Sequence, residues 1–177
     1  MAAAQAAAGK PAEVIAANRR RLNLAVVFPG MRETAVHTAD LLLAEKQPRE
    51  AFALFLRALD SGLDRCFSTT ARLAENQRQL NLVARPPAAD IIRRALAGIN
   101  QCLVSLVPAD ALPPEKLGSL SAAWNQALAA TYRPDIGTAA PFIALSESGL
   151  PASWRLLCHW QTASALLREG NFREAKV

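Results

Sequence analysis

Apolar residues recur at three- and four-residue steps through most of this chain, in stretches of helical length separated by proline and glycine. Ala88 to Val107 shows the pattern most cleanly. Ile92, Ala95, Ile99, Cys102, Leu103 and Leu106 share one side of that helix, and Arg93 and Arg94 fall on the other. Met31 to Gln47 predicts a helix with Ala35, Ala39, Leu42 and Leu43 along one side. Pro48 suits an early position of the next helix, where its missing N–H costs little. That helix runs to about Leu59 and turns Phe52, Phe55, Leu56 and Leu59 inward. A longer and more polar helix is predicted over Leu63 to Val83, with Phe67, Leu73, Leu80 and Val83 as its apolar members. Pro114-Glu115 opens another, carrying Leu117, Leu120, Trp124, Ala127 and Leu128. Pro151 opens the last, with Trp154, Leu157, Cys158, Trp160, Leu166 and Leu167. Apolar residues lie nearly all round this last helix, which predicts a central position. Between the two, Arg133 to Gly149 reads as a looser region, because Pro134, Gly137, Pro141 and Gly149 interrupt it.

One segment breaks the helical period. Leu22, Leu24, Val26 and Phe28 alternate with Arg21, Asn23, Ala25 and Val27, which is a strand pattern. Pro11-Ala12-Glu13 upstream is a helix start whose helix could instead run through the same residues, so both readings stay open, and the alternation favours the strand. The fold expected is therefore all-α or nearly so. It is a helical bundle or a set of repeat-like antiparallel hairpins, with at most one short N-terminal strand. A disordered tail over residues 1–12 would precede one helical domain over 13–177, a length that suits a single core.

Composition strengthens the helical reading. Hydrophobic residues make up 51% of the chain and charged residues 20%, while aromatics are only 6% and alanine is abundant. Alanine has the highest helix propensity and lets helices approach closely. The net charge of +5 fits an acidic protein partner, and fits nucleic acid as well. The cysteines, Cys66, Cys102 and Cys158, are odd in number, far apart and set among apolar residues, as expected of reduced thiols in a cytoplasmic protein. No apolar run approaches the roughly 20 residues of a membrane helix. The alanine-rich Met1 to Lys10 lacks the basic-then-apolar order of a secretory signal.

The chemistry of known sites is absent from the sequence. It has no GxxxxGK[ST] phosphate loop, no GxGxxG turn and no GxSxG elbow around Ser146 or Ser148. His37 and His159 are the two histidines, and they stand far apart. Cys158 adjoins His159, but helix neighbours point roughly 100° apart, which makes a poor metal site. The acid pairs Asp60/Asp64 and Glu169/Glu174 read as solvated helix faces. The expectation is a protein that is not an enzyme, with no catalytic residues, no cofactor and no metal.

Two resemblances give that expectation content. Ala39, Leu42, Ala51, Phe55 and Ala58 reproduce the small, large, small, aromatic and small positions that interlock the two helices of a hairpin. In this the segment from Ala35 to Leu63 resembles a tetratricopeptide repeat, a unit of about 34 residues. Ala163, Leu166, Gly170, Phe172 and Ala175 repeat the opening half of the pattern. The chain departs from the family in its Pro48 at the turn, and nothing at that period appears between Cys66 and Arg133. The resemblance implies an adaptor or scaffold that binds a protein partner in the groove beside the Met31–Leu59 hairpin. Arg32, His37, Asp40 and Arg49 are its candidate contact residues. The second resemblance, to ribbon-helix-helix DNA-binding proteins, rests on the alternating segment and the arginines before it. It implies a homodimeric transcriptional regulator, with Arg21, Asn23 and Ala25 facing DNA from a strand and Arg19 and Arg20 meeting phosphates. The conformation of Leu22–Phe28 bears directly on it: a strand paired with its symmetry mate favours DNA, and a buried helix opposes it.

Overall fold

The computed structural model describes residues 10–23, 30–59, 88–131, 138–169 and 175. Among them are seven α-helices and no strand. In chain order these are α1 (Pro11–Leu22), α2 (Met31–Ala44), α3 (Pro48–Leu59), α4 (Ala89–Leu106), α5 (Pro114–Thr131), α6 (Ala140–Ser146) and α7 (Ala152–Glu169), with a 3-10 turn at Pro108–Asp110. The helix expected over Leu63–Val83 lies outside the described residues. The helices form two compact units: α1 to α4 with the 3-10 turn, and α5 to α7.

In the first unit each helix packs on the next, and α4 also reaches back to α2. α1 opens with Pro11 in its first turn, so Pro11 and Ala12 of the expected tail are helical. It buries Val14, Ile15, Asn18 and Leu22, four residues of one face. Its last turn carries Arg19, Arg20 and Arg21, where positive charge complements the helix dipole. The Arg57 guanidinium of α3 donates to the Leu22 carbonyl, one of the end carbonyls that a helix leaves without an internal partner. The strand expected over Leu22–Phe28 is therefore not formed by its first residues. Leu22 closes a helix, and Asn23 caps it through its backbone N–H. Residues 24–28 lie outside the described residues.

The hairpin of α2 and α3 turns in three residues. Lys46 adopts the left-handed conformation, with φ of 59°. Its N–H reaches the Leu43 carbonyl at 3.0 Å, and the Gln47 N–H reaches Leu42 at 2.8 Å. This pair of bonds is the Schellman ending, with lysine at the position glycine usually fills. Pro48 then starts α3 directly. Ala39, Leu42, Ala51, Phe55 and Ala58 are all buried, as their spacing predicts. Phe52 and Leu56, expected inward, are only half-buried, because α3 turns its 51/55/58/59 face to the core and these two flank it. The Phe55 ring extends beyond the hairpin and lies against the backbone of Gly98 in α4, in the space a side chain would occupy. Ile92, Ala95, Leu96, Ile99, Cys102 and Leu103 complete the buried face of α4.

In the second unit α6 packs against both α5 and α7. Trp124 of α5 is fully buried and meets Phe142 of α6 edge to face, with ring centroids 5.2 Å apart. α6 falls in the stretch read from sequence as a looser region. Pro141 stands in its first turn, where proline is tolerated, so here it starts a helix. α7 buries Trp154, Leu157, Cys158, Ala165 and Leu166 along one face. Ala139, Ala165 and Leu166 cluster together, and Ala175 packs on them. The central, all-round burial expected of α7 does not hold: Leu156 is 64% exposed and Leu167 42%.

Candidate functional site

α2 and α4 are brought side by side in the first unit, and a polar surface forms where they meet. Asp40 of α2 accepts a hydrogen bond from the Arg94 guanidinium of α4 at 2.6 Å, an ion pair whose side chains remain about half exposed. His37 stands one turn before Asp40 on the same face of α2 and is half-buried, with its Nε2 buried and without a hydrogen-bond partner. Arg93, adjacent to Arg94, is exposed. The three residues His37, Asp40 and Arg94 thus combine a cation, an anion and an imidazole on one surface. Such groups can pair with charged and hydrogen-bonding side chains of complementary arrangement.

The four contact residues expected from sequence divide between this surface and others. His37 and Asp40 belong to it. Arg32 is half-buried in the first turn of α2, roughly 140° from His37 by helical spacing. Arg49 is exposed in the first turn of α3, a different helix. Arg94 completes the surface and was missed, because its partner lies 54 positions away and no local spacing links them.

The DNA-contact candidates are arranged as a helix end and not as a ribbon. Arg19 pairs with Glu50 of α3. Arg20 and Arg21 are exposed in the last turn of α1, and Asn23 is exposed at its cap. Successive helical residues point roughly 100° apart, so Arg21 and Asn23, two positions apart, do not share the face that a strand's alternation would give them.

The thiols are placed for packing. Cys102 and Cys158 are free and buried. Burial pushes the Cys102 thiol up to about 11 and the Cys158 thiol up to about 12, since an apolar surrounding penalises the thiolate. Both are therefore weak nucleophiles near neutrality. Cys66 lies outside the described residues. His159, next to Cys158, is exposed while the thiol points inward, so the two do not converge. Among the described residues no group of three His, Cys, Asp or Glu side chains could hold a metal ion, and no helix is long and apolar enough to cross a membrane. No protein-family model, no curated protein and no solved structure matches this chain.

Proposed function

We propose that this chain is a non-catalytic binding module, a helical adaptor or scaffold that holds a protein partner on the α2–α4 surface. The supporting observation is the packing order of the first unit. α2, α3 and α4 pack in succession, α4 returns to α2, and the pair Asp40–Arg94 ties these two helices together. Helical repeat proteins use this order to line up alternate helices as a continuous binding face. The interlocked Ala39, Leu42, Ala51, Phe55 and Ala58 keep that face rigid, which lowers the ordering cost of binding. The free, buried thiols of Cys102 and Cys158 suit a cytoplasmic setting.

The test is a charge reversal. Asp40→Arg and Arg94→Asp, alone and together, are compared with the unaltered protein in affinity capture from a nuclease-treated cell extract. Each single change should leave the helical signal intact and remove the partners that the unaltered protein retains. The double change restores an ion pair of opposite orientation, so it should recover stability without recovering the partners. Retention of the same partners by both single variants would place the contact elsewhere. Association present in an untreated extract and lost in the nuclease-treated one would favour nucleic acid, and with it the regulator reading based on Arg19, Arg20 and Arg21.

A further inference from the structure

Among the described residues, the second unit carries an apolar ridge that no other element covers. Leu156, Trp160, Ala163 and Leu167 follow one another at steps of four, three and four along α7, which puts them on one face over roughly 16 Å. Leu156 is 64% and Leu167 42% exposed, with Trp160 and Ala163 half-buried between them. The opposite face, with Trp154, Leu157 and Cys158, is filled by the core of the unit. Singly exposed leucines are ordinary on protein surfaces, but a continuous ridge at helical spacing matches the way one helix receives another.

The charges beside the ridge select the occupant. Arg155 and His159 are exposed and form the row next to Leu156 and Trp160. The opposite row holds Ser153 and Ser164, and α7 has no acidic residue before Glu169. A second copy of this face brings no carboxylate to the Arg155–His159 row, because α7 holds none before Glu169. We infer that the α7 ridge docks an amphipathic helix of another protein, whose apolar stripe is flanked by carboxylates that meet Arg155 and His159. This surface belongs to the second unit and is independent of the α2–α4 surface.

Two synthetic helical peptides serve as probes. Both carry leucines at steps of four, three and four; one has glutamates along the flank and the other lysines. Trp124 and Trp154 are fully buried, so a change in emission on titration reports Trp160. The glutamate peptide should bind and the lysine peptide should not, and added salt should weaken binding. Leu156→Glu combined with Leu167→Glu should weaken it at least about tenfold with an unchanged circular dichroism spectrum. Arg155→Glu should reverse the preference between the peptides. Equal binding of both peptides, binding of neither, or insensitivity to these variants would overturn the proposal. So would a homodimer that the leucine variant dissolves, which would make a second copy the occupant. Protection of Trp160 from acrylamide quenching to the level of the buried pair would equally overturn it, showing that the chain itself covers the ridge.

Discussion

Each unit of the molecule has a glycine inside a helix, and the two glycines do opposite things. Gly98 in α4 is buried with the Phe55 ring lying where its side chain would be. Gly118 in α5 is exposed, and a methyl group added there would meet nothing. The first lets two helices approach more closely than any other residue allows, and the second only loosens its helix. The exposed apolar residues differ in the same sense. Those of the first unit, Val104 and Val107, sit together at the end of α4, whereas Leu156 and Leu167 in the second are spread along α7. The first unit keeps its outward apolar residues at one helix end, and the second sets Leu156 and Leu167 along a helix face. The two proposed surfaces differ accordingly, the polar one lying on the tightly packed unit and the apolar one on the unit with the outward leucines.

The largest expected effect tests the closure of the first unit. Phe55→Ala should destabilise by about 3–5 kcal/mol, as the truncation of a buried aromatic side chain does. Urea unfolding followed by circular dichroism would measure it. A cost below about 1 kcal/mol would mean that the ring does not fill the space between α3 and α4. Next comes Gly98→Ala. Alanine improves helix propensity by roughly 1 kcal/mol, but here the methyl overlaps the Phe55 ring, and overpacking should give a net loss of about 1–3 kcal/mol. Combining it with Phe55→Ala puts the methyl into the space the ring vacates. The double variant should then cost less than the two single changes added together, and strict additivity would show that the two residues do not touch.

The same substitution in the second unit should reverse sign. Gly118→Ala should stabilise by about 0.5–1 kcal/mol, since it removes backbone freedom from the unfolded chain and introduces no contact. A loss of stability would mean that α5 is packed at a place where the structure leaves it open.

Much of this architecture was legible in the residues. Pro48 and the Phe55 spacing place α3 from Pro48 to Leu59, and Pro114 places the start of α5, because in both a long apolar period after the proline marks it as a helix start. The interlocking alanines predicted the hairpin, and all five of its spacing residues are buried. Other features depended on pairings that no local window contains. Lys46 closes α2 in a conformation that glycine normally marks, so the turn carried no glycine to announce it. α6 is short, with only seven residues, so no long apolar period distinguishes Pro141 at its start from a proline that interrupts a helix. Alternation over Leu22–Phe28 suggested a strand, yet Leu22 is held as a helix end by Arg57, 35 positions away. Of the candidate surface, His37 and Asp40 could be picked from one helix, while Arg94 required the packing of α4 on α2. α7 shows the limit most clearly. Where apolar residues surround a helix, its period cannot select the buried face, and only the fold decides that Leu157 turns inward and Leu156 outward.

That last pair supplies the smallest expected effect. Leu156 and Leu157 are chain neighbours of the same type, 64% and 6% exposed. Leucine and alanine have similar helix propensities, so a truncation at either site changes packing and little else. Leu157→Ala removes a side chain from the core and should carry the full cost of a buried cavity. Leu156→Ala removes one from water and should change stability by no more than about 0.5 kcal/mol. Thermal unfolding of the two variants side by side would measure the difference under one set of conditions. A cost at Leu156 approaching that at Leu157 would mean that its side chain is covered in the isolated protein. The contrast between a closed first unit and an open second one would then fail, and the ridge proposed for a partner helix would already be occupied.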